Sequence, residues 1–208
     1  MACNLLRLLI FVGFCAQSIG IAQAVVPLKS STSAPVKLSH VESYLNKLKT
    51  LQASFKQWDQ NGALTTGTLY LQRPGHIRMT YNKPSKLVIL ADGETLFFID
   101  RATKDLSYSP IGQSPASFLL DAHIDFQKGF KIKSFHVDGN KIKLTIRKKG
   151  NDDLGALTLV FRKSPSLQLI QWIILDSQNK KTIVNLEGVT SGHDLTPTLF
   201  DPSVFLGQ

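Results

Sequence analysis

Past residue 15 the chain has no cysteine, because the two it contains, Cys3 and Cys15, fall within the first 24 residues. Disulfides, thiolate chemistry and cysteine-ligated metal sites are excluded together for the rest of the chain. No later stretch approaches the ~18 continuous apolar residues that a membrane-spanning helix requires. Catalytic punctuation is also missing: there is no H-E-x-x-H, no G-x-S-x-G and no phosphate-cradling glycine loop. The five histidines, His40, His76, His123, His136 and His193, have no zinc-ligand spacing. Ser177-Gln178-Asn179-Lys180 matches S-x-x-K but sits in an expected turn without its companion motifs. Gly192-His193-Asp194 reads as a polar turn, and Asp152-Asp153 are adjacent rather than set apart across a cleft. The pattern argues against an enzyme and implies neither metal nor cofactor.

What is present begins with Arg7, followed by an apolar stretch from Leu8 to Ile21 and then Ala22-Gln23-Ala24. A positive start, a short apolar segment and an A-x-A site predict a cleaved secretory signal over 1–24. Phe14 precedes Cys15 where a lipoprotein signal needs a small residue, so a free product rather than a lipid-anchored one is expected. The 208-residue chain then leaves 184 residues, enough for one domain with a sizeable core. Only Arg7 of the 24 Lys and Arg residues lies in the leader, so 23 basic residues remain against 15 acidic ones, a net +8. Such a balance attracts anionic partners. The densest basic group, Lys141, Lys143, Arg147, Lys148 and Lys149, reads as the solvated outer face of a strand. Tyr70 and Tyr81 with Arg73 and Arg78 offer the aromatic and basic elements of a stacking platform. Export removes the substrate for such a platform, so no nucleic-acid partner is expected.

Residues 25–38 read as a flexible N-terminal segment, rich in Ser, Thr, Pro and Lys, and 39–208 as a single domain. Ser39-His40-Val41-Glu42 is a capping-box pattern, and Val41, Tyr44, Leu45, Leu48 and Leu51 follow at helical spacing, predicting three or four turns. From Ala53 the period changes to two, with turn signals at Asn61-Gly62, Asp92-Gly93, Asp138-Gly139 and Asn179. The expected strands are 53–60, 63–72, 76–81, 87–91, 95–100, 105–109, 130–137, 141–148, 155–162, 167–176 and 181–189. A short helical candidate at Pro115 to Ala122 interrupts them. Most strands alternate cleanly, so one sheet face is apolar. Leu96-Phe97-Phe98-Ile99 and Leu167 to Leu175 break the alternation and must be covered on both sides. The fold class is mainly β with an α lid. A strongly curved antiparallel sheet, nearly a barrel, and a sandwich both satisfy the pattern.

One stretch is more specific: Arg73-Pro74-Gly75-His76-Ile77-Arg78-Met79-Thr80-Tyr81-Asn82-Lys83-Pro84, followed by Leu87-Val88-Ile89-Leu90-Ala91-Asp92-Gly93. It resembles the signature of the LolA family of outer-membrane lipoprotein carrier proteins. The similarity extends to Ser54-Phe55-Lys56-Gln57, to Ser114-Pro115 through Leu119-Leu120, and to Gln171-Trp172 with Asp176. The resemblance implies an incomplete antiparallel β-barrel of about eleven strands covered by short helices. It also implies a soluble periplasmic carrier in a Gram-negative bacterium, acting as a monomer. Its implied partners are acylated lipoproteins, an inner-membrane lipoprotein-releasing ABC transporter, and an outer-membrane acceptor that is either a receptor or the membrane itself. Ile77 and Met79 stand where some members carry aromatics, which points to a wider or more pliable lumen.

With Arg73 facing the lumen, period-two parity sets Leu69 and Leu71 beside it, and Ile77, Met79, Tyr81 and Ile89 on the same surface. Phe118 and Leu119 would close over them. The resemblance implies that Arg73, with five donors and no acceptor, bonds lid carbonyls in the empty state and releases them on loading. At about 0.8 kcal/mol per CH₂, full burial of ~48 acyl carbons would be worth roughly 38 kcal/mol. That exceeds the ~18–21 kcal/mol at which noncovalent affinity saturates, so carriage must be partial burial or exchange between apolar sites. A generic periplasmic lipid or glycolipid binder of the same fold is the competing reading. A membrane β-barrel is disfavoured, since several strands fall short of the ~9–11 residues that a span needs.

Overall fold

Helix α1 (Leu38–Lys47) leads into eleven strands: β1 (Thr50–Trp58), β2 (Leu64–Gln72), β3 (His76–Tyr81), β4 (Leu87–Asp92), β5 (Thr95–Asp100), β6 (Asp105–Pro110), β7 (Phe130–Asp138), β8 (Lys141–Lys148), β9 (Ala156–Arg162), β10 (Gln168–Leu175) and β11 (Lys181–Ser191). This computed structural model describes residues 36–113, 115–150 and 154–206. The expected signal 1–24, the segment 25–35, Ser114 and Asp152-Asp153 lie outside the described residues.

All eleven strands join one antiparallel sheet in the order β6-β5-β4-β3-β2-β1-β11-β10-β9-β8-β7. The sheet is not closed, and its two edges, β6 and β7, are consecutive in the chain. The segment between them leaves the sheet as two 3₁₀ turns, Ile111–Gln113 and Pro115–Leu120, and a short helix α2 (Phe126–Gly129). That departure opens the barrel and supplies its cover at the same point in the sequence. No helix among the described residues is long and apolar enough to cross a membrane.

Pairing register gathers the apolar positions on the concave face. Leu51 faces Leu71 and Ala53 faces Leu69, Leu69 faces Met79 and Leu71 faces Ile77, and Met79 faces Ile89. On the other side Leu159 pairs with Leu144 and Phe161 with Ile142. The charged alternates of β8, including Lys141 and Lys143, point to solvent. α1 lies on the concave face through buried Val41 and Leu45, and the Tyr44 ring meets Phe161 edge-on at 5.7 Å.

Four expectations are adjusted. Order begins before residue 39, since Val36 packs against the core and Leu38 is already helical. The helix N-cap is Lys37, not Ser39, and the Lys37 N–H donates to His40 Nδ1. Glu42, expected to cap the helix, instead accepts from the Phe126 N–H at 2.8 Å. The helix ends at Lys47, because Leu51 belongs to β1, where it pairs with Leu71; its helical spacing was coincidental with strand parity. In 167–175 the broken alternation is partly a β-bulge: Leu169 opposes Phe161 while Trp172, three residues on, opposes Leu159. Both partners face the core, so the extra residue restores parity rather than requiring a second cover. By contrast, β5 is covered on both sides. Ile99 is buried on the convex face with Val88 and Leu90, and Phe205 packs against them. Phe205 comes from α3 (Ser203–Leu206), which the hydropathy pattern alone did not reveal.

Gly67, in mid-strand, is a steric requirement. A Cβ there would sit 2.2 Å from the Thr80 carbonyl oxygen and 2.6 Å from the Phe55 ring, which itself packs edge-on against Tyr81 at 5.0 Å. We expect Gly67→Ala to destabilise by about 1–3 kcal/mol, the usual cost of overpacking. Thermal denaturation should show a transition several degrees lower, and an unchanged transition would refute the packing argument.

Candidate functional site

Arg73 follows β2 directly and is only 7% exposed. Its Nε donates to the Asp121 carbonyl oxygen at 2.9 Å, and its Nη2 donates to the same oxygen. Its Nη1 donates to the carbonyls of Leu45 and, at 3.5 Å, Leu48. Those last two belong to the C-terminal end of α1, where the helix dipole favours a cation; the Leu45 carbonyl also accepts from the Leu48 N–H at 3.3 Å. One guanidinium thus bridges β2, the end of α1 and the end of the 3₁₀ cover. Beside it the Gly75 N–H donates to the Leu120 carbonyl at 2.9 Å. Gly75 has φ +80, and a Cβ there would meet Gly93 Cα at 2.7 Å, so glycine is needed for both conformation and space. α1 is further laced to the residues after the cover. The Asn46 side-chain amide exchanges two 2.8 Å bonds with the Ile124 backbone.

Burial lowers the Arg73 pKa against the opposing charge of Asp121, and an arginine stays charged in any case. Burial likewise raises the Asp121 carboxyl above its ordinary value, with Lys148 and Arg73 pulling the other way. The hydrogen bonds that Arg73 makes to residue 121 run to its backbone oxygen.

Beneath the cover lies an apolar cavity of about 270 Å³. Of the residues expected to line it, the structure brings Ile77, Met79, Tyr81, Ile89 and Leu119 to its wall. Leu69 and Leu71 share the face but are fully packed at 0% and 2% exposure, in the same core cluster as Val41 and Leu45 of α1. Phe118 points elsewhere, stacking edge-on against Phe130 at 5.3 Å in the filled half of the lumen. There the residual void is about 10 Å³. Sequence parity on β2 to β4 missed the opposite wall, which includes Leu96, Phe98, Trp172, Ile174 and Val184. Phe98 is opposite Ile89, so parity could have reached it. Trp172 and Val184 needed the sheet order, which sets β11 and β10 beyond β1.

Polar groups in the cavity are few. The Tyr81 hydroxyl donates to Gln57 Oε1 at 2.8 Å, and burial pushes its pKa up to about 12 despite that bond. Ser117, on the cover and 5% exposed, lines the cavity with a hydroxyl that has no partner among the described residues. Among the described residues no group of three His, Cys, Asp or Glu could hold a metal ion. The arrangement accommodates an apolar guest and offers one unsatisfied donor.

A family model described as outer membrane lipoprotein carrier protein LolA matches residues 46–203. The chain is 28% identical over 179 residues to an outer-membrane lipoprotein carrier protein of Nitrosomonas europaea, a match covering 80% of this chain and 85% of that one. It is 26% identical over 183 residues to the protein so named in Nitrosospira multiformis, covering 83% and 87%. Among solved structures, a domain described as an outer membrane lipoprotein-sorting protein from Vibrio parahaemolyticus aligns with a TM-score of 0.50 at 10% identity, covering 81% of this chain and 96% of that one. That structural likeness concerns the fold.

Two substitutions separate the parts of this site. Asp121→Asn leaves the backbone acceptor of Arg73 in place, so stability at neutral pH should be equal or higher. The folded carboxyl has the raised pKa, so the native state holds its proton more tightly than the unfolded chain. The wild type should gain on the variant as pH falls through that pKa. A variant that is less stable at pH 7 would contradict this. Ser117→Ala removes a buried donor whose unsatisfied state costs about 1–3 kcal/mol, so its melting temperature should rise.

Proposed function

Because this chain belongs to the LolA family of outer membrane lipoprotein carrier proteins, we propose that it is a periplasmic carrier holding the acyl chains of lipoproteins. On this reading its leader is removed on export, and an inner-membrane lipoprotein-releasing transporter loads it. It hands its cargo to an outer-membrane receptor or to the membrane itself, acting as a monomer without catalysis.

The observation that carries the reading is an apolar cavity whose cover is fastened by one charged side chain to backbone carbonyls. At about 270 Å³ the cavity lies just below the ~300–1,000 Å³ usual for small-molecule sites. Several acyl chains therefore require it to expand. Expansion lifts the cover, and lifting the cover breaks the Arg73 bonds to Asp121 or to α1. Charge-assisted hydrogen bonds contribute roughly 1.5–3 kcal/mol each, while each buried CH₂ returns about 0.8 kcal/mol. A handful of methylenes thus offsets the opening, and closure over the empty lumen helps to expel the last of the cargo. Ile77 and Met79, in place of larger rings, leave room on the β3 wall. The free hydroxyl of Ser117 is positioned to donate to an ester or amide carbonyl at the head of a chain.

The test mixes the processed chain with spheroplasts that contain a radiolabelled outer-membrane lipoprotein. Label should leave in a soluble one-to-one complex. Absence of any complex, with ordinary lipid recovered from the purified protein, would replace this reading with that of a generic lipid binder. Arg73→Leu, which removes the fastening, should change both loading and release rates. Unchanged rates would discard the latch while leaving the cavity intact.

A further inference from the structure

A cavity of about 550 Å³, larger than the acyl site, lies at the sheet end formed by the β3/β4 and β5/β6 turns. Lys83, Lys86, Arg101 and Lys104 surround it, against the carboxylates of Asp100 and Asp105, a balance of two positive charges. All four cations are exposed, and neither ion pair among the described residues involves them. Asp100 is committed locally, accepting from the Ala102 N–H at 2.8 Å. The two turns are tied together by the Arg101 N–H, which donates to the Lys86 carbonyl at 3.3 Å. The cations therefore face one space from two fastened turns.

Two further features set this cavity apart from an ordinary charged surface. Lys104 has φ +61, a left-handed conformation for which glycine or asparagine is the inexpensive choice. A lysine is nevertheless found there. The cavity also has an apolar side, made by Ile99, Leu106 and Phe205. The Phe205 ring is held by two guanidiniums, Arg78 at 4.8 Å and Arg101 at 5.9 Å from its centroid. Leu106 (42% exposed) and Tyr108 (71% exposed) continue the apolar strip along the open edge strand β6. They stand on the same face, opposite Ile99 and Phe97.

Exposed cations with no carboxylate ion pair among the described residues, set around an apolar floor beside an exposed tyrosine and leucine, match the chemistry of a lipid at a bilayer surface. Its phosphate is anionic, and its glycerol and first methylenes are not. A free phosphate would use the cations and leave the apolar strip without purpose. We propose that this basic cavity binds the phosphate headgroup of an anionic lipid and seats this end of the protein on a membrane surface. The site is separate from the acyl cavity, sharing only Tyr81 as a wall. Its test therefore neither needs nor affects the carrier reading.

The test is flotation of the processed full chain with vesicles of phosphatidylglycerol in phosphatidylcholine, with pure phosphatidylcholine vesicles and inorganic phosphate as separate arms. Retention on the anionic vesicles is expected, falling as salt is raised. The double variant Lys86→Gln/Lys104→Asn should bind roughly 25-fold more weakly, at about fivefold for each basic residue near an anionic surface. Lys141→Gln/Lys143→Gln removes equal charge from the outer face of β8 and should lose no more than about threefold through the overall field. Equal losses in the two double variants would overturn the site in favour of diffuse charge. Absence of retention, or equal retention on phosphatidylcholine, would overturn it as well. A melting-temperature rise with inorganic phosphate and no vesicle binding would overturn the lipid assignment. Lys104→Asn relieves the left-handed strain, so the variant should melt no lower than the wild type, and lost binding is then not lost folding.

Discussion

The Arg73 guanidinium is buried, charged and bonded to carbonyls from two elements distant in sequence, the end of α1 and the end of the cover. A charge so far from water is tolerable only while its donors are satisfied, and here the acceptors are backbone oxygens at the ends of α1 and the cover. The arrangement solves three local problems at once. It caps a ten-residue helix, terminates the 3₁₀ cover, and holds both against the β2/β3 turn. Because the acceptors are carbonyls rather than a carboxylate, no strong ion pair locks the cover down. Its bonds can be exchanged for water at modest cost.

The sheet explains why a cover is needed there. A chain running β1 to β6 and then β7 to β11 could pair its middle strands to each other and close. Instead β1 pairs with β11, and the break falls between β6 and β7, where the intervening residues leave the sheet. The halves then differ. On the β7 to β9 side Phe118, Phe126 and Phe130 fill the lumen with their own rings. On the β3 to β5 side the same concave face carries Ile77, Met79 and Ile89, and space remains. An empty apolar cavity costs dispersion contacts, so the fold gives up stability in the half where a guest would restore them.

The two edges are also unlike. β7 carries Lys131 and Lys133 and a bulge near Ile132, features that discourage further pairing. β6 has neither, and it borders the basic cavity with Leu106 and Tyr108 exposed. Four cations and two carboxylates, a net of two positive charges, thereby border an apolar strip.

Strand number, alternation and the apolar identity of each concave position followed from the residues alone, since a period of two is a property of the extended backbone and not of the fold around it. The Arg-Pro-Gly turn and the family likeness were equally local. Register then decided which alternating faces met, and sheet order decided that Trp172 and Val184 stand across from Met79 and Ile89. Helical spacing misassigned Leu51 because it follows Leu48 by three, as in a helix, and also begins the period-two run Leu51, Ala53, Phe55 of β1. Leu69 and Leu71 had the right face but lie in the packed core rather than at the cavity, and Phe118 turned to the other half, because packing against Phe130 lies outside any one-dimensional pattern. The chain by itself determined which side chains could be inside; only the tertiary structure decided which of them touch one another and which border an empty space, because void volume depends on elements distant in sequence converging.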